Sequence, residues 1–299
     1  MFLIFYIFVF LIGISIGSFL NCVIYRMELQ EDMPEGSPQR KAVSFLHGKS
    51  FCPNCKHTLN WQDLFPVFSF LFLKGKCRYC SKKISIQYPI VELLTGLIFL
   101  LILNRFSVIP NLIGNPGISQ TLWIPAFAGM TAGQAGIISY LFLLLISSLL
   151  VIIFVYDLKH YIIPDKILFP AIGIVLIYRL FEGLIIGHWL SGFISFILAG
   201  LGASAFFLFF FLISKGRWMG FGDVKLAFFM GLFLGYPNIL VALFLAFLLG
   251  AIIGVGLIAF GSKSLKSEVP FGPFLIIGTF IALFYGKEII EWYTHLLII

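Results

Sequence analysis

The sequence predicts an all-α protein that crosses a membrane about eight times and carries a small cysteine module between its first two crossings. Three observations predict it. Apolar residues make up 60% of the chain and charged residues only 11%, a balance that belongs to polytopic membrane proteins and not to soluble globules. The apolar residues gather into runs near the roughly 20 residues that a helix needs to cross hydrocarbon. Four of the five cysteines form two CxxC pairs in one polar segment.

Taken in order, the expected crossings are 2–24, 89–106, 137–156, 167–187, 191–213, 226–236 with its flanks, 238–260 and 270–286. The first run has no basic n-region and no small-x-small cleavage site, so it reads as a retained helix and not a cleaved signal. Cys22 within it reads as a small buried residue. The sixth and seventh runs are separated only by Tyr236, Pro237 and Asn238, which requires a tight turn. The stretch 107–136, with Pro110, Pro116, Pro125 and several glycines, reads as an irregular loop.

The loop cations set the orientation. Segment 26–88 holds ten of the twenty Lys and Arg residues, which makes it cytoplasmic. Counting crossings from there, loops 157–166, 214–225 and 261–269 are cytoplasmic too. Seventeen cations then face the cytoplasm and three, Arg105, Arg179 and Lys287, face away. Both chain ends fall on the periplasmic side. The net charge of +7 is accounted for by this asymmetry, with membrane lipid as a partner and no nucleic acid.

Cys52 and Cys55, then Cys77 and Cys80 after a gap of 21 residues, have the spacing of a tetrahedral zinc site. Two disulfides are the bland alternative, and a cytoplasmic location argues against them because thiols stay reduced there. A closed four-cysteine site is structural and leaves no position open for catalysis. His47 and His57 nearby read as solvated loop residues. The apolar stretch between the pairs, Leu59 to Leu71, is too short to span; it either lies on the membrane surface or caps the helices.

The candidate chemistry lies in two acidic stretches. Asp157 ends the third crossing and Asp223, in Gly220-Phe221-Gly222-Asp223-Val224-Lys225, begins the sixth. Eight crossings place these acids, 66 residues apart, at the same membrane face. Acids at a membrane-embedded site are functional candidates by default. Two carboxylates sharing a proton can activate water, one taking its proton while the other polarises a scissile carbonyl. Gly220 and Gly222 would let a substrate strand approach Asp223 closely, and the small residues around 199–205 would let helices pack closely. Asp165, after Pro164, reads as the cap of the fourth crossing. Lys225 is either an orientation anchor or a group tuning the acids. Glu92, in the second crossing, is a further buried acid for a cation of the cysteine module or for a ligand. There is no HExxH, GxSxG or Walker A sequence.

These motifs in this order resemble the type IV prepilin peptidases. The resemblance runs from Gly17-Ser18-Phe19-Leu20-Asn21-Cys22-Val23-Ile24-Tyr25-Arg26 through both CxxC pairs, with Trp61-Gln62-Asp63-Leu64-Phe65-Pro66-Val67 between them. It continues with Tyr88-Pro89-Ile90-Val91-Glu92-Leu93, Asp157 to Asp165, and Gly220 to Leu226. It implies a GxGD-type intramembrane aspartyl protease of the bacterial inner membrane, with Asp157 and Asp223 as the dyad. The implied substrates are prepilins and type II secretion pseudopilins, cut after a glycine at the cytoplasmic face. It further implies N-methylation of the new terminus, usually Phe, with S-adenosylmethionine as donor, associated with the cytoplasmic module. The implied organisation is a first crossing (1–25), a zinc-binding module (26–88) and a peptidase domain (89–299). The competing readings are an ion- or proton-coupled transporter, for which no internal repeat of broken helices is visible, and a non-catalytic zinc scaffold.

Overall fold

The computed structural model describes residues 2–34, 37, 48, 50–105, 132–186, 189–259 and 269–298. Among them the secondary structure is helical, with two isolated antiparallel bridges, Phe51 to Thr58 and Lys76 to Lys83. Eight long helices match the eight apolar runs. They are α1 (Phe2–Glu31), α3 (Gln87–Arg105), α4 (Ala132–His160), α5 (Asp165–Ile186), α6 (Trp189–Ser214), α7 (Phe221–Leu234), α8 (Asn238–Ala259) and α9 (Gly272–Ile298). A 3₁₀ turn, Trp61–Asp63, and the five-residue α2 (Phe68–Phe72) lie between α1 and α3. Of the loop expected at 107–136, residues 107–131 lie outside the described residues, as do His47 and the loop 261–268, while 132–136 are helical and open α4.

The described residues support at least six crossings. Six of these helices are long and apolar enough to cross a membrane: α1, α3, α4, α6, α8 and α9. The other two fall short for different reasons. Helix α5 carries Asp165, Lys166, Arg179 and Glu182, and α7 has only 14 residues. The protein is therefore multi-pass, with eight long helices of which six have the length and composition of a crossing among the described residues.

The chain divides into two compact units: residues 1–109 with 140–152, and residues 110–139 with 153–299. In the first, α1 and α3 pack together through glycines. A Cβ at Gly13 would stand 2.7 Å from Gly96 Cα, and one at Gly17 would stand 2.7 Å from Glu92 Cα. Hydrogen at these positions lets the backbones touch, the packing mode that membrane helices favour. Val9, Phe99 and Leu103 form the apolar seam beside this contact.

In the second unit α6 packs on α7 and α8 on α9, with α5 against α6 and α7. The small residues of 199–205 do what their size suggested: a Cβ at Gly231 of α7 would stand 2.5 Å from Gly200 Cα of α6. The charges of α5 are partnered within the unit. Arg179 donates to Glu182 Oε2 at 2.7 Å and to the Phe233 carbonyl of α7, and its guanidinium lies 3.7 Å from the Phe196 ring centroid. A charge taken out of water must be paired in this way, so Arg179 ties α5 to α6 and α7.

Candidate active site and metal centre

Asp157 lies three residues from the end of α4, and Asp223 is the third residue of α7. Both are buried, 4% and 8% exposed, and they are close enough to interact electrostatically. The Gly272 backbone lies against the Asp157 carboxylate, and Asp223 N–H returns to the Gly220 carbonyl at 3.2 Å at the head of α7. Helix α4 ends just beyond Asp157. Tyr161 takes the left-handed conformation (φ 57°), its N–H returning to the Asp157 carbonyl at 2.9 Å, the usual closure of a helix C-terminus. Pro164 then accepts the amides of Ile167 and Leu168 and starts α5.

Ile163, in the connecting turn, sits beside both acids' supports. A Cβ at Gly222 would lie 3.2 Å from Ile163 Cβ, and one at Gly272 would lie 3.5 Å from Ile163 Cδ1. Gly222 is therefore a packing glycine filled by Ile163 and not an opening for a substrate strand. Gly220 keeps open space, its virtual Cβ meeting nothing nearer than 3.9 Å. At Gly272 a Cβ would run into Asp157 Oδ2. Sequence reasoning missed this residue. Its signal was Pro270-Phe271-Gly272-Pro273, a glycine between two prolines at the head of an apolar run.

Asp165 is the first residue of α5, and its carboxylate pairs with Lys225 from the first turn of α7. Lys225 also lies 5.5 Å from the Phe169 ring and 5.6 Å from the Phe221 ring. Of the three acids in these stretches, Asp165 is half exposed and neutralised by a cation, while the buried acids share each other.

The other site lies in the first unit. The four sulfurs of Cys52, Cys55, Cys77 and Cys80 all lie within 4.8 Å of one another, and Cys52 Sγ is 3.9 Å from Cys80 Sγ. Thiolates at about 2.3 Å around a tetrahedral zinc ion stand about 3.8 Å apart, so the donor set fits a metal ion.

The two knuckles repeat one design. The fourth residue after each leading cysteine returns its N–H to that cysteine's carbonyl, Lys56 to Cys52 and Ser81 to Cys77, both at 2.9 Å. Both residues are left-handed, φ 59° and 58°. Each knuckle is closed by one antiparallel bridge.

Asp63 locks them together. Arg78 Nε donates to its Oδ1 at 2.7 Å, while Tyr79 Oη and the Asn60 N–H donate to Oδ2 at 3.0 and 3.1 Å. Burial pushes the Asp63 carboxyl up, but these donors and the Arg78 charge outweigh it and hold it below the usual carboxylate range. His57 is exposed, as its sequence context suggested, and its ring stacks on Tyr79 with centroids 3.7 Å apart.

Glu92 is buried in α3. Its hydrogen-bond partner is neither a lysine nor an arginine: Val67 N–H donates to Oε2 at 2.7 Å. Val67 has a positive φ (61°, ψ −50°) at the centre of a tight turn in which Phe68 N–H returns to the Pro66 carbonyl at 2.6 Å, an uncommon state for a β-branched residue, and Glu92 accepts the Val67 amide. Cys22 is half-buried, its Sγ 3.8 Å from Ser50 Oγ.

Two family models match the chain: the bacterial peptidase A24 N-terminal domain over residues 11–106, and the type IV leader peptidase family over residues 143–255. Proteins named prepilin leader peptidase/N-methyltransferase align along nearly the whole chain. The relative from Aeromonas salmonicida (strain A449) is 32% identical over 95% of this chain and 92% of its own length. The chain belongs to the type IV prepilin peptidase family. The Legionella pneumophila relative is 32% identical over 96% of this chain and 94% of its own length, and the one from Bacillus subtilis (strain 168) is 31% identical over 95% and 96%. No solved structure matches. The family's first model covers the cysteine knuckles and its second covers both Asp157 and Asp223. Nothing in these relationships supports a transporter.

Proposed function

We propose that this chain is a bifunctional membrane enzyme that cleaves the basic leaders of type IV prepilins and then methylates the new N-terminus. The observation that carries the peptidase reading is the buried pair Asp157 and Asp223, drawn from separate helices and close enough to interact. In this reading the ionised carboxylate takes a proton from water as the water attacks the scissile carbonyl. The protonated partner donates to the carbonyl oxygen, and the tetrahedral intermediate collapses with proton return to the departing amine. Burial removes competing water, and the Gly272 backbone against Asp157 limits where that carboxylate points. Asp165 and Lys225 orient the first turns of α5 and α7 and take no part in the chemistry. The substrates extend to type II secretion pseudopilins, and the cut follows a glycine at the cytoplasmic face, with both chain termini periplasmic.

The Cys52, Cys55, Cys77 and Cys80 sulfurs would hold zinc, which supplies a structural cross-link between the two knuckles. The methylating activity belongs to the first unit, with S-adenosylmethionine as methyl donor. Incubating the purified protein with a prepilin whose leader ends in Gly, with and without S-adenosylmethionine, tests the pair of activities by product mass. The expected product without donor is the pilin cut after Gly, and with donor the same product gains one methyl group. An uncut prepilin under both conditions would overturn the reading.

A further inference from the structure

The segment between the cysteine knuckles exposes more apolar surface than a cytoplasmic module can sustain. Phe72 is 82% exposed, Trp61 74%, Leu71 62% and Phe65 53%, with Leu64 and Phe68 also exposed. They form one local patch: Trp61–Asp63 packs against α2, and the Phe65 and Phe68 rings are 5.7 Å apart. A contiguous apolar patch of this kind marks an interaction surface.

Two further observations say what covers it. The module is strung between α1 and α3, both long and apolar enough to cross a membrane, so it is tethered at both ends to the bilayer surface. The module is also strongly basic. Residues 52–86 hold six cations, Lys56, Lys74, Lys76, Arg78, Lys82 and Lys83, against one acid, Asp63, which Arg78 already engages. Lys74, Lys76, Lys82 and Lys83 are exposed and form no ion pair among the described residues. Aromatic side chains beside lysines are the composition of a membrane-interface element, the rings at headgroup level and the cations toward anionic phosphates.

We infer that residues 61–73 are an interfacial anchor that docks the cysteine module on the lipid bilayer, with Trp61, Phe65 and Phe72 inserted at headgroup depth and the lysines gripping anionic lipid. The occupant of the patch is the bilayer itself. The inference rests on the multi-pass architecture alone, and stands or falls independently of the catalytic dyad.

The test uses the full-length protein in liposomes of phosphatidylcholine and phosphatidylglycerol. Tryptophan emission is compared between wild type and Trp61→Phe, a change that keeps the ring and leaves the other tryptophans in place; the difference is the Trp61 signal. Lipids brominated near the headgroup should quench that signal about twofold, and aqueous acrylamide should reach it poorly. Replacing Lys74 and Lys83 by Glu should weaken its response to phosphatidylglycerol about fivefold per lysine. As a check that needs no tryptophan, amide exchange across 61–73 in the wild type should slow when phosphatidylglycerol is present. A Trp61 signal open to acrylamide and indifferent to brominated lipid would overturn the proposal. So would shielding that appears only when prepilin is added, or only as protein concentration rises, since the occupant would then be substrate or a second copy.

Discussion

The cysteine module and the aspartate pair are built in opposite ways. In the module the ligands arrive in two local turns, each closed by its own hydrogen bonds, and one acid, Asp63, joins them across 15 residues to Arg78. At the aspartate pair nothing local suffices. Asp157 depends on backbone contact 115 residues away at Gly272, and Asp223 on a helix start whose glycine is filled by Ile163. A metal site of this kind carries its geometry in its spacing. A carboxylate pair borrows its geometry from helix packing.

That contrast can be broken at its most sensitive points. Cys77→Ser removes one sulfur of the proposed metal site and should abolish methylation while cleavage persists, because the proposed acid pair lies in the other unit. Metal content and product mass measured on one preparation check it, and equal loss of both activities would deny the division of labour. Gly272→Ala should lower kcat for cleavage by about a hundredfold, the scale at which displacing a catalytic group by about 1 Å acts, since the new methyl occupies the place of Asp157 Oδ2. Methylation of a pre-cut pilin by the same variant should be unchanged.

Smaller effects sharpen the comparison. Asp63→Asn should destabilise the module by about 1 kcal/mol, read as earlier metal loss on heating. The sign with pH follows from its depressed carboxyl: the tie to Arg78 is complete above the ordinary carboxylate range and is lost as pH falls through the lower folded value. Arg78→Ala should therefore move acid release of metal to higher pH. Asp165→Asn should reduce cleavage least, by at most about fivefold, because a partly exposed ion pair contributes little. Complete loss of cleavage would show that Asp165 belongs to the chemistry.

What could be read from the sequence divides along the same line. The CxxC spacing marked all four sulfurs, because short turns fix their own geometry. Asp157 and Asp223 came from counting apolar runs, and helices α4 and α7 do carry them to one place, although only six helices have the length and composition of full crossings. The two that differ are α7, which is short, and α5, which carries charges such as Arg179, whose partners Glu182 and Phe233 appear only on folding. Gly272 was missed for a similar reason: Pro270-Phe271-Gly272-Pro273 marks an unusual helix start, but its role is defined by an atom of Asp157, which the local pattern does not record. Gly222 was read as an opening because glycine permits both access and close packing, and only the position of Ile163 decides between them. Glu92 was read as partner to a cation of the cysteine module or to a ligand, whereas its hydrogen bond comes from the amide of Val67 in a tight turn.

The most direct test of the dyad is cleavage of a Gly-ended prepilin by purified Asp157→Ala and Asp223→Ala proteins, each checked for helix content and metal. Each single change should lower the cleavage rate by about a thousandfold or more, while methylation of a pre-cut pilin continues. Substantial cleavage by either variant would contradict the paired-acid account.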